Sequence, residues 1–135
     1  MVARPLDRDI FGFEILKTNS FEQLCINFTN EKLQFHFNEV IFSEEMKLYE
    51  AEGVPSENIS FQDNKPCVDL IEMRKPVPGI LALLDEECKL GKGTDIGFLN
   101  KCDEKFGAKK GEEPYKNYFT KRPQDKETFK VQHFA

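Results

Sequence analysis

The residues able to do chemistry in this chain are few. Asp9-Ile10-Phe11-Gly12-Phe13-Glu14 sets carboxylates on either side of a glycine. A glycine lets backbone approach a phosphate that a Cβ would hold off. Read alone, the six residues favour a plain strand-to-helix turn with an incidental Asp and Glu. Gly91-Lys92-Gly93-Thr94 looks at first like a phosphate loop. The pattern G-x-x-x-x-G-K-[ST] excludes it, because a glycine follows the lysine and none stands five residues before Gly91. Cys25, Cys67, Cys88 and Cys102 form no CxxC pair, and His36 and His133 do not supply zinc-finger spacing. No secretory leader and no long apolar run is visible. The expectation is a soluble chain in reducing surroundings, its four thiols free and buried as small hydrophobes.

Charge is uneven along the chain. Residues 1–88 carry eight Lys/Arg against seventeen Asp/Glu, and residues 89–135 carry eleven against seven. A basic end suits an acidic partner, although a solvated lysine-rich surface has the same composition. The overall net charge of -5 argues against a nucleic-acid binder. Thirteen Phe, three Tyr and no Trp call for a core rich in phenylalanine.

The elements that must carry these residues are helical for the most part. Ser20 with Gln23 has the capping-box pattern. Phe21, Leu24, Cys25, Phe28, Leu33, Phe37, Val40, Ile41 and Leu48 follow at helical spacing. No Pro or Gly interrupts Phe21 to Glu52, and Gly53 and Pro55 end the run. Such a rod is about 48 Å long. Its apolar residues keep no strict heptad, which favours packing on several sides within a larger body over a coiled coil.

After a loop with a short strand at Ile59 and Phe61, Val68 to Met73 reads as a short helix or turn. Gly79 to Cys88 reads as a second helix. Thr94 is a good N-cap for a third, whose apolar positions are Ile96, Leu99, Cys102 and Phe106, with Gly107 at its end. Residues 79–107 therefore form a helix-loop-helix. Ala108 to Lys126 reads as a polar, basic loop, and Phe129 to Phe134 as a strand. No internal repeat or domain boundary appears.

Asp9 to Glu14 matches the switch II pattern D-I-x-G-F-E of myosins. Asn19 to Gln34, with the sequence NSFEQLCINFTNEKLQ, resembles the relay-helix signature of the same family. Gly79 to Cys88 resembles its segment G-I-L-A-L-L-D-E-E-C, and Lys130 to Ala135 its later V-x-H-Y-A strand. Four motifs in one order make the chain similar to part of a myosin motor domain. The implied fold class is mainly α, a fragment of the α/β P-loop NTPase-type motor with few short strands. The implied parts within 1–135 are switch II at 9–14, relay helix at 20–52, relay loop at 53–64, helix-loop-helix at 79–107, basic loop at 108–128 and strand at 129–135.

The resemblance also implies roles. Gly12 would donate its amide to the γ-phosphate of ATP. Asp9 would help hold Mg²⁺ through water, with no direct metal ligand in the chain, and Ile10 would line the nucleotide. Glu14 would pair with a switch I arginine. Asp9, Gly12 and Glu14 are thus the expected catalytic residues. The relay helix would carry their movement to the converter and lever arm. The helix-loop-helix would meet filamentous actin through Gly79, Ile80, Leu84, Lys89, Leu90, Gly91 and Lys92.

Departures from the family shape the expectation. No P-loop or switch I is present, so the fragment alone is expected to lack ATPase activity and to bind neither ATP nor Mg²⁺. Ser56 stands where the relay loop often has Trp, and Lys89 and Gly91 stand where the hairpin tip often has Met and Pro. The expected partners are actin and the remainder of a myosin heavy chain, with no nucleic acid and no membrane. The expected location is the cytoplasm, in a myosin complex on the actin cytoskeleton. Two other readings stay open: a non-enzymatic actin-binding module, and a truncated product that does not fold alone.

Overall fold

The computed structural model describes residues 13–55, 63–107, 115–122 and 127–132. α1 runs unbroken from Phe21 to Glu52, as the absence of Pro and Gly requires. Ser20 is extended at its start, and the Ser20 amide donates to Gln23 Oε1 at 2.8 Å, one arm of the expected capping box. Gly53 ends it in the left-handed conformation, at a φ of 66°. The Gly53 and Val54 amides return to the carbonyls of Glu50 and Tyr49.

Three shorter helices follow. α2 spans Lys65–Glu72, α3 Ile80–Lys89 and α4 Asp95–Phe106. α2 is longer than the expected Val68 to Met73 turn. It starts three residues earlier because Pro66 suits a first turn, where its missing N–H is no loss, and because the Asp63 carboxylate accepts from the Lys65 amide at 2.8 Å. Gly79 sits where α3 meets the end of α2. A Cβ there would lie 2.6 Å from the Leu70 carbonyl oxygen, so only glycine allows this approach. Gly107 ends α4 as expected but with a φ of -64°, so the stop is not a left-handed cap.

The segment read as a basic loop needs correction. A 3-10 turn at Tyr115–Asn117 leads into β1, Phe119–Lys121. β1 pairs antiparallel with β2, Phe129–Val131, with Phe119 opposite Val131 and Lys121 opposite Phe129. The strand expected at Phe129 to Phe134 is thus found over its first three residues, and its end lies outside the described residues. The strand expected at Ile59 and Phe61 also lies outside them.

The core lies between α2, α3, α4 and this hairpin. Leu70, Ile71, Ile80, Leu83, Leu99, Phe106 and Phe119 are buried together. Phe119 stacks on Phe129 at 5.3 Å, tilts against Phe106 at 5.9 Å, and Phe106 meets Tyr115 edge-on at 6.3 Å. This is the phenylalanine-rich core that the composition demands. Buried Cys67 and Cys102 are free thiols, as expected, and burial pushes both up to about 12. Neither is a thiolate at neutral pH. Cys25 is only half-buried and Cys88 is exposed, contrary to the expectation that all four are hidden.

α1 docks on α2 through its first half, where Leu24 and Phe28 pack against the core. The fully buried residue on α1 is a carboxylate. Glu31 is 1% exposed, and the Asn64 side chain, equally buried, donates to Glu31 Oε1 at 2.7 Å and to the Glu31 carbonyl at 3.0 Å. Lys32 crosses beside it to pair with Glu72 and lies over the Phe28 ring. Farther along, Phe37, Val40, Ile41 and Leu48 are exposed.

Candidate functional site

Two places carry the residues that the sequence singles out. At the amino end, Asp9, Ile10 and Gly12 lie outside the described residues. Glu14 is half-buried and its backbone is clipped to α1. Its amide donates to Asn27 Oδ1 at 2.7 Å, and Asn27 Nδ2 returns a bond to the Glu14 carbonyl at 2.8 Å. Both backbone groups of Glu14 are thereby satisfied by one side chain two turns into the helix. A displacement of residue 14 is therefore felt directly by α1. Leu16 and Asn19 close a second small loop, with the Leu16 amide on Asn19 Oδ1 at 2.8 Å.

The other place is the α3–α4 hairpin. Its turn is tight because backbone and side chains close it together. The Leu90 amide donates to the Glu87 carbonyl at 3.2 Å, and the Gly93 amide to the Leu90 carbonyl at 3.0 Å. Thr94 caps α4 as its residue type predicts, its Oγ1 accepting from the Gly97 amide at 3.0 Å. Leu90 at 50% exposure and Ile96 at 52% stand out from this turn as apolar side chains. Lys89 and Lys92 are exposed beside them. Lys89 pairs with Asp85 one turn back at 2.8 Å, which holds the Asp85 carboxyl below the usual carboxylate range.

Seven hairpin residues are expected to contact actin, and the structure places them on two sides. Lys89, Leu90, Gly91 and Lys92 lie together at the exposed tip, and Leu84 is half-buried. Gly79 and Ile80 are buried at the base, with Ile80 at 0% exposure, on the side that the core uses. They support the hairpin and present no surface. Ile96, one of the apolar positions of α4, joins the exposed set at the tip. Its place two residues after the cap, in the first turn of α4, could have signalled this, since that turn adjoins the loop.

Two other polar residues escape the sequence reading. Glu87 stands in the last turn of α3 with its carboxylate between the Thr94 amide, 3.1 Å from Oε1, and the Lys101 ammonium, 2.7 Å from Oε2. The lysine first and the amide second hold this carboxyl below its ordinary value, and the Lys101 ammonium is raised in return. Glu31 is the other. Nothing in its spacing announces burial, because its partner Asn64 lies beyond the end of the helix.

The Gly91 to Thr94 loop has no phosphate cradle to offer, because the Thr94 hydroxyl and amide are engaged in closing the hairpin. Among the described residues no group of three or more His, Cys, Asp and Glu could hold a metal ion. No helix among them is long and apolar enough to cross a membrane.

A long uninterrupted helix clipped to residue 14, followed by a helical hairpin in matching order, is the arrangement that the sequence motifs require. The family model for the myosin head (motor domain) matches residues 8–135. The chain belongs to the myosin head family. It is 52% identical to the high molecular weight form of myosin-1 of Acanthamoeba castellanii over 75% of this chain. It is 47% identical to human myosin-14 over 94% of it, and 46% identical to mouse unconventional myosin-Vb over 94% of it. The matched stretch is 6% of the length of each of these three myosins. This myosin-head segment is mainly helical, as its family resemblance implies.

Proposed function

We propose that the chain serves an ATP-driven motor on actin, as the stretch that senses nucleotide at residues 9–14 and docks on filamentous actin through the α3–α4 tip. The observation that carries the docking reading is the pairing of exposed Leu90 and Ile96 with Lys89 and Lys92 on a closed turn. Apolar side chains supply affinity there, and the lysines steer the turn toward an acidic surface. Asp9, Ile10, Gly12 and Glu14 keep the roles that the family pattern assigns to a phosphate sensor, with Mg²⁺ held through water at Asp9. The double clip between Glu14 and Asn27 supports α1 as the element that receives the signal. The site of action is the actin cytoskeleton of the cytoplasm.

Cosedimentation of the 135-residue chain with filamentous actin tests the docking half. Binding at low salt that weakens as salt rises is expected, and Leu90→Asp should remove it. Binding that survives Leu90→Asp unchanged overturns the assignment of the tip. The chain on its own is expected not to hydrolyse ATP, since the loop that most resembles a phosphate binder is closed on itself. Actin-activated phosphate release by the pure chain would contradict this.

A second reading rests on Phe37, Val40, Ile41 and Leu48, exposed along the second half of α1. Surfaces of that kind are covered in a complete structure, and the remainder of a myosin heavy chain is the partner that would cover them. Self-association of the isolated chain in sedimentation velocity, relieved by polar substitutions at Phe37 and Ile41, is expected. A monodisperse monomer at high concentration would count against this second reading.

A further inference from the structure

We propose that Glu87 is a positioning residue for the docking tip: its carboxylate fixes the shape of the Leu90–Thr94 turn, and so the placement of Leu90 and Ile96, without itself meeting the partner. The inference rests on the reading of that tip as the docking surface. Glu87 is 8% exposed although it stands in the last turn of α3 amid exposed Glu86, Cys88 and Lys89. It bonds to both ends of the turn. Its backbone carbonyl accepts from the Leu90 amide where the chain leaves α3, and its side chain accepts from the Thr94 amide where the chain enters α4. The second oxygen reaches across to Lys101, two turns into α4, and ties the two helices together.

The turn needs such a fastening. Gly91 and Gly93 are two of its five residues, and glycine has the most backbone freedom to lose. A turn held before contact costs less to order on docking than one that must be ordered by the partner. Charge alone predicts the opposite effect. Glu87 places a negative group at a lysine-bearing tip, so removing it should strengthen contact with an acidic partner if electrostatics decided the outcome. Positioning predicts weaker contact.

Glu87→Ala and Glu87→Gln in the 135-residue chain separate these effects by filamentous-actin cosedimentation, thermal melting and hydrogen exchange at the Thr94 amide. Glu87→Ala should lose about five- to tenfold in affinity, with faster exchange at Thr94. Glu87→Gln keeps an acceptor for the Thr94 amide and should recover most of the affinity despite lacking the charge. Should Glu87→Ala not fold, Lys101→Met cuts the tie from the other side, and is expected to weaken docking about two- to threefold. Wild-type binding with Glu87→Ala equal or tighter overturns the positioning role alone, as does Glu87→Gln as weak as Glu87→Ala. A wild-type chain that shows no actin binding overturns the docking reading, and this inference with it.

Discussion

The body made by α2, α3, α4 and the β1–β2 hairpin hides its large apolar residues apart from Leu90 and Ile96 at the tip, whereas α1 leaves six of its own in the open. In the body, Leu70, Ile80, Leu83, Leu99, Phe106 and Phe119 are all sealed. On α1, Phe21, Leu33, Phe37, Val40, Ile41 and Leu48 are exposed, and the residue most deeply buried is Glu31. Helices this long take their stability in proteins mostly from packing of a face. The contrast teaches that the two regions were specified for different surroundings. The body carries its own partners in sequence. Along its second half α1 carries a face whose partners do not stand among the described residues, and it is attached to the body through its first half, by the packing of Leu24 and Phe28 and by the polar bonds of Glu31 and Lys32.

Substitutions can break this contrast, and the largest effect belongs to the body. Phe119→Ala should cost about 3–5 kcal/mol in urea unfolding, because Phe106 and Phe129 each lose an aromatic contact and a sealed core position is emptied. Phe37→Ala, a change of the same size on the exposed face, should stay within about 0.5 kcal/mol. Equal costs at the two positions would erase the distinction. Asn64→Ala comes next. It removes the donor that binds the buried Glu31 carboxylate and should cost about 1–3 kcal/mol, with faster hydrogen exchange in α1 at residues 28–35 than in α3. Thr94→Ala should cost about 1 kcal/mol through the lost cap on α4, read by the same unfolding curve with α1 exchange unchanged.

The smallest effect is that of pH on the ion pairs of the hairpin. Glu87 and Asp85 are both held below their ordinary values of 4.5 and 3.8 by lysine partners. A carboxyl lowered in the folded state contributes stability that is complete above its ordinary value and is lost as pH falls through the lowered one. Hairpin exchange rates should therefore hold constant from pH 7 down to about 5 once intrinsic rates are removed. They should rise only below 4.5, the ordinary value for Glu87. A rise between pH 7 and 6 would show that other groups govern the tip.

Local rules made the helices readable. Phe21 to Glu52 is bounded by Ser20 and Gly53 and free of breakers within, so its limits follow from backbone chemistry. Thr94 and the loop glycines mark the hairpin in the same way. β1 was hidden because its evidence is not local. Phe119 stands in a lysine-rich stretch, and it becomes a strand by pairing with Val131 and by filling the space beside Phe106. The burial of Glu31 was hidden for the same reason, since Asn64 meets it from 33 residues away. The tip was legible as an exposed loop, but its fastening by Glu87 was not, because a glutamate at the end of a helix usually points to water.

The Glu31–Asn64 contact sits about a third of the way along α1, beside the Lys32–Glu72 bridge. Ten residues separate it from Phe21 and twenty-one from Glu52, arms of about 15 and 32 Å. Were the helix to tilt rigidly about this contact, its carboxyl end would move about twice as far as its amino end. Moving the buried contact by one turn along the helix would change that ratio.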